Sequence, residues 1–141
     1  MEQTVFASIR YSASCQDCGA ELACWGVQSL VNGSLRWDTE SRCPACGHAV
    51  AACGGDLPAE LRNRLLSERG PALLQVGPSA RNVVIMRVLR AEFGLDLVGV
   101  RAVLNEVVTG AYSGTMPEME FLARKLRASG IDAVAVQSSE L

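Results

Sequence analysis

Cys15-Gln16-Asp17-Cys18-Gly19 and Cys43-Pro44-Ala45-Cys46-Gly47 are two copies of one short pattern, with 24 residues between Cys18 and Cys43. Two cysteines three positions apart put both sulfurs on one tight turn. The glycine after each pair permits a positive φ, which turns backbone N–H groups toward the sulfurs. Four thiolates at this spacing suit a tetrahedral zinc ion. The segment between the pairs reads as a hairpin. Val27 to Val31 and Ser34 to Trp37 flank Asn32-Gly33, the pair that a two-residue type I′ turn demands because both central residues need φ > 0. Leu30 and Leu35 then face each other, with Trp37 on the same face and Ser29, Val31 and Arg36 on the other. Knuckle, hairpin and knuckle make a zinc ribbon, expected over residues 1–55, with a strand at Val5, Phe6, Ile9 and Tyr11 leading in.

Other uses of the six cysteines fit less well. A thioredoxin-like dithiol opens a helix after a strand, but glycine follows both pairs and no helical period continues. A secreted disulfide framework would suit a chain with a leader. Residues 1–10 have no basic start, long apolar core or cleavage signal, so a cytoplasmic protein with reduced thiols is expected. Cys24, Cys53 and His48 are spare donors. A buried cysteine usually serves as a small apolar residue, and a histidine beside a knuckle more often supports the ligands than joins them. The expected ligands are Cys15, Cys18, Cys43 and Cys46, holding one structural zinc.

The chain has 141 residues, 49% of them hydrophobic, which is enough for one ordinary domain or two small ones. A ribbon of about fifty residues is near the size at which a core alone becomes marginal, so metal would supply much of its folding free energy. The net charge is −2, and residues 1–79 hold 6 basic and 8 acidic side chains against 7 of each in 80–141. Neither half has the basic surplus of a nucleic-acid binder. No apolar run reaches the length of a membrane span.

Past the ribbon, Asp56 to Glu60 reads as a helix start with proline in the first turn, and Gly70 as its stop. Leu57, Leu61 and Leu65 form its apolar stripe. Residues 71–76 read as a short strand, and Gly77-Pro78-Ser79 as the domain boundary, so that 56–80 is a helix and connector and 81–141 a second domain. There, Val83 to Leu89 is a β-branched run expected to form a buried strand ending at Gly94. Leu97 to Val108 fits a helix with Leu97, Val100, Leu104, Val107 and Val108 on one face and Val98 opposite. Thr115-Met116-Pro117-Glu118 is a capping box, Met119, Leu122 and Leu126 the stripe of the helix it opens, and Gly130 its close. Ile131 to Val136 alternates as a last strand. The expected class is α+β: a zinc ribbon, then a small α/β sandwich with helices on one face of a sheet.

This second half resembles the C-terminal domain of the bacterial ribosomal stalk protein over about residues 81–137. Ile85-Met86-Arg87-Val88-Leu89-Arg90, then Gly94-Leu95, Leu97, Val100-Arg101 and Val103-Leu104, track the family's strand, turn and first helix without a gap. Leu122, Leu126 and Gly130 match its last helix and stop. The resemblance implies a basic surface that docks translational GTPases, with Arg87, Arg90 and Arg101 at basic positions of the family. Val98 and Gly99 stand where the family has a Lys-Glu pair, so Arg87, Arg90, Val98, Gly99 and Arg101 are the expected partner contacts. The stalk protein's dimerisation segment and Ala-rich hinge are replaced here by the ribbon.

Catalysis is not expected. The single histidine lies beside a knuckle, no Ser/His/acid set, carboxylate pair or phosphate loop stands out, and a four-thiolate zinc site has no open position. The expectation is a non-catalytic protein-binding protein whose partner is a translation factor or the ribosome. The alternative is an immunity or antitoxin protein that plugs a toxin, and a weaker one is a nucleic-acid-binding ribbon. No small-molecule substrate or membrane is implied.

Overall fold

The computed structural model describes residues 5–138. The first four residues of the expected ribbon and the last three of the expected second domain lie outside them. The class is α+β with antiparallel sheets, and the chain divides into two compact units, Met1–Arg69 and Gly70–Leu141.

The first unit is a four-stranded antiparallel meander, β1 (Val5–Ser14), β2 (Glu21–Val31), β3 (Ser34–Arg42) and β4 (Ala49–Gly55), followed by helix α1 (Ala59–Arg69). Asn32 (φ 51°) and Gly33 (φ 78°) make the turn between β2 and β3, and the expected pairing of Leu30 with Leu35 is present. The seven residues of β4 carry no regular apolar alternation, and this strand was not among the expected elements. One face of the sheet receives α1: Leu65 packs with Ile9 and Trp37, flanked by Ala7, Tyr11, Leu57 and Leu61. Trp37 pairs with Gln28 but lays its indole over the diagonal neighbour Gly26, where no side chain stands in the way. A Cβ on Gly26 would overlap the Trp37 ring atoms Cη2 and Cζ2. Helix α1 also guards the open edge of β1, where Arg64 donates to the Arg10 carbonyl at 3.0 Å and Arg69 to the Ser8 carbonyl at 3.3 Å. Carbonyls left free on an edge strand would otherwise invite another strand.

The second unit comprises β5 (Ala72–Val76), α2 (Asn82–Phe93), α3 (Leu97–Thr109), β6 (Ser113–Gly114), α4 (Met116–Ala128) and β7 (Ala133–Gln137). Its sheet is antiparallel in the order β6-β5-β7. Alternate residues Ala72 and Leu74 of the central strand are fully buried, and Ile85, Val88, Leu89, Val100, Val107, Leu122 and Leu126 of the three helices join them in one core. Helix α4 opens on the expected capping box: the Glu118 N–H donates to Thr115 Oγ1 at 3.3 Å and the Thr115 N–H to Glu118 Oε1 at 3.0 Å.

Two expectations fail here. Residues 83–89 are helical, not a strand. The buried side chains Ile85, Val88 and Leu89 recur at i, i+3 and i+4, so packing into the core beside α3 and α4 overrides the strand preference of β-branched residues. The division also falls elsewhere. Gly77-Pro78-Ser79 is a loop inside the second unit, because residues 72–76 form its central strand, so the boundary lies at Arg69/Gly70 in place of 80/81.

Candidate metal centre

In a meander the β1–β2 and β3–β4 turns lie at the same end, opposite the β2–β3 hairpin. Each of those two turns is a knuckle. The Cys15 N–H donates to the Ala20 carbonyl at 2.7 Å and the Gly19 N–H to the Cys15 carbonyl at 2.9 Å. The second turn repeats this, Cys43 to His48 at 2.7 Å and Gly47 to Cys43 at 2.9 Å. Gly19 and Gly47 both sit at φ 77°, a conformation that costs a residue with a Cβ but not glycine. Identical local bonding therefore presents two sulfurs from each turn to the same point.

The Sγ atoms of Cys15, Cys18, Cys43 and Cys46 all lie within 4.8 Å of one another and could hold a metal ion. Cys18 and Cys43 approach to 3.5 Å and Cys15 and Cys46 to 3.8 Å, too far for a covalent S–S bond of about 2.05 Å. Charge is shared unequally. Hydrogen bonding from the Cys46 N–H, and then from Ala45 and the neighbouring thiols, holds Cys43 down at about 7 despite its desolvation. Cys46 accepts from the His48 N–H, which lowers it, yet the Cys43, Cys18 and Cys15 sulfurs and burial together push it up to about 12. Cys18 likewise accepts from the Ala20 N–H but is raised on balance by Cys43 and desolvation. Four thiolates this close repel one another, and a divalent cation among them is what would offset that repulsion.

The spare donors lie outside this cluster. His48 Nδ1 is 3.0 Å from Asp17 Oδ2, which ties the residue after the second knuckle to the interior of the first. Cys24 is buried in β2 and its thiol is raised by that burial. Cys53 is exposed on β4.

The five expected partner contacts fall on α2 and the first turns of α3. Arg87 and Arg90 line a shallow groove of ≈ 470 Å³ on α2 together with Val83 and Met86. Val98 is 79% exposed and Arg101 is exposed. Gly99 has a local reason for being glycine. Its N–H donates to the helix cap Asp96 Oδ1 at 2.7 Å, and an added Cβ would stand 3.1 Å from that oxygen and 3.4 Å from Leu95 Cδ2. Val83 and Met86 were missed in the sequence because a strand reading of 83–89 does not put them beside Arg87 and Arg90; helical spacing i, i+3, i+4, i+7 does. No helix among the described residues is long and apolar enough to cross a membrane. No protein-family model, curated protein or solved structure matches the chain.

Proposed function

We propose that this chain is a non-catalytic, zinc-stapled protein-binding protein whose second unit docks one protein partner through α2 and the start of α3. Zinc is supported by the donor set and its spacing. Four sulfurs at about 2.3 Å from a tetrahedral zinc stand about 3.8 Å apart, and two cross-knuckle sulfur pairs stand 3.5 and 3.8 Å apart. The residues that would hold it are Cys15, Cys18, Cys43 and Cys46. With four protein ligands the ion supplies a fixed junction between two turns, not a reactive position.

The observation that carries the docking reading is the α2 groove. Two apolar side chains, Val83 and Met86, line it beside two arginines, Arg87 and Arg90. Exposed apolar surface next to arginines suits a small protein interface, where arginine is favoured for its planar, many-donor head. Such a groove fits a partner surface with an apolar side chain flanked by carboxylates. The likeness of residues 81–137 to the stalk domain makes a translational GTPase, free or on the ribosome, the partner class we favour. A nucleic-acid role is disfavoured by charge: on the β1–β3 face away from α1, Arg10, Arg36 and Arg42 are balanced by Glu21, Asp38 and Glu40, by strand alternation.

Affinity for a purified translational GTPase tests this. Arg87→Glu with Arg90→Glu should reduce binding tenfold or more, and Val98→Lys should preserve or strengthen it by restoring a positive charge. If the double reversal leaves affinity unchanged, the groove is not the contact. A toxin-inhibitor role instead has Val98 inside an apolar contact, so Val98→Lys would there cost about 1–3 kcal/mol.

A further inference from the structure

Each knuckle holds one buried and one exposed cysteine: Cys15 and Cys43 are buried, Cys18 and Cys46 exposed. Two close approaches are crossed. The exposed Cys18 sulfur lies 3.5 Å from the buried Cys43 sulfur, and the exposed Cys46 sulfur 3.8 Å from the buried Cys15 sulfur. Each sulfur that solvent reaches therefore has a close neighbour in the opposite turn, within a cluster whose four sulfurs all lie within 4.8 Å of one another.

We propose that hydroperoxides convert this cluster from a metal staple into a covalent one, with disulfides Cys18–Cys43 and Cys15–Cys46 joining the two knuckles. The inference rests on the zinc reading for what is displaced, and on the sulfur geometry for what forms. In the zinc-loaded chain the exposed Cys46 sulfur is a thiolate, and it attacks one peroxide oxygen. The O–O bond breaks, a sulfenic acid forms on Cys46, and the departing hydroxide takes up a proton to become water. The Cys15 thiolate then attacks the sulfenic sulfur; the S–S bond forms and a second hydroxide leaves, again protonated to water. The pair has lost two electrons and the peroxide has gained two. Cys18 and Cys43 repeat the sequence with a second peroxide, and zinc departs with its charge unchanged.

Which sulfurs join decides what happens to the fold. A bond within one Cys-x-x-Cys turn would close a very short loop and tie neither turn to the other. The crossed bonds link residues 25 and 31 positions apart, and constrain the unfolded chain more than a short loop does. They also connect the β1–β2 turn to the β3–β4 turn, the two places the ion connects. Oxidation should therefore release the metal and leave the first unit folded.

The test uses the full chain with Cys53→Ser, to remove the exposed thiol of β4, loaded with zinc and assayed for metal before treatment. Hydrogen peroxide is added in excess and released zinc is followed with a chromogenic chelator. Trypsin cuts after Arg10, Arg36, Arg42 and Arg62, so the first knuckle falls in peptide 11–36 and the second in peptide 43–62. We expect stoichiometric zinc release and the two peptides recovered as one non-reduced species. Its fragment spectra should pair Cys18 with Cys43 and Cys15 with Cys46. The near-UV signal of buried Trp37 should persist until reductant and chelator are added together. Separate peptides, each lighter by a pair of hydrogens, would mean bonds within the knuckles and would overturn the proposal. Sulfinic or sulfonic acids at Cys18 and Cys46, or loss of the Trp37 signal as zinc leaves, would overturn it as well. A chain that neither carries nor accepts zinc refutes the metal reading by itself. Peroxide treatment of that chain still scores the crossed pairing: linked peptides support it and unlinked ones refute it.

Discussion

The two units are almost equal in length, yet among the described residues the core cluster of the first gathers three buried apolar side chains, Ile9, Trp37 and Leu65, with Leu30 and Cys24 buried outside it, while that of the second gathers thirteen. A sheet with one short helix on it removes little apolar surface from water. Each buried aliphatic or aromatic side chain contributes about 1.5–3 kcal/mol before chain entropy is subtracted, so Ile9, Leu30, Trp37 and Leu65 leave a unit of this size marginal. The four-sulfur cluster sits at the end of the meander opposite the hairpin, where it can join strands that the small core does not hold. The second unit needs no such device, since α3 and α4 pack on its sheet and α2 packs on those two helices. The comparison teaches where each unit is vulnerable: one at its cysteines, the other at its central strand.

The largest expected effect concerns that strand. A fragment beginning at Gly70 should fold alone with cooperative thermal unfolding, whereas one beginning at Ser79 lacks β5 and should be unfolded by circular dichroism. Equal stability of the two fragments would mean that β5 is dispensable and the boundary at Arg69/Gly70 is misplaced. A smaller effect should come from Gly26→Ala, which pushes a methyl group into the Trp37 ring and should cost the first unit about 1–3 kcal/mol without reducing its metal content. Denaturant unfolding followed by near-UV circular dichroism reads the loss; unchanged stability would show that Trp37 repacks freely. Smallest is Thr115→Ala. Removing the cap of α4 should lower the stability of the 70–141 fragment by about 1 kcal/mol, and a neutral result would mean that water replaces the Thr115 oxygen without loss.

Much of this contrast can be read in the sequence, for identifiable reasons. The cysteine ligands are legible because a knuckle is a local object: two sulfurs, one turn and one glycine lie within five residues. The hairpin is legible for the same reason at Asn32-Gly33, and the capping box at Thr115 and Glu118. Helix α2 is not, because Val83, Val84, Ile85 and Val88 prefer strands and only burial of Ile85, Val88 and Leu89 in a core shared with the distant helices α3 and α4 reverses that preference. Gly77-Pro78-Ser79 looks like a linker, but the same residues that punctuate a boundary also make a strand-to-helix turn. Strand β6 spans two residues and β4 has no alternation to detect. The α2 groove is missed along with its helix, because Val83, Met86, Arg87 and Arg90 are neighbours only at helical spacing.

The central claim is that a metal at Cys15, Cys18, Cys43 and Cys46 holds the first unit together while the second holds itself. Zinc chelation of the reduced full chain, followed residue by residue in ¹⁵N-edited NMR spectra, tests it directly, with Cys43→Ser as the ligand-loss control. Signals of residues 5–69 should collapse toward unfolded shifts as zinc leaves, and those of 70–138 should keep their dispersion and positions. A first unit that stays dispersed without metal and under reducing conditions, or a second unit that unfolds with it, would contradict the account.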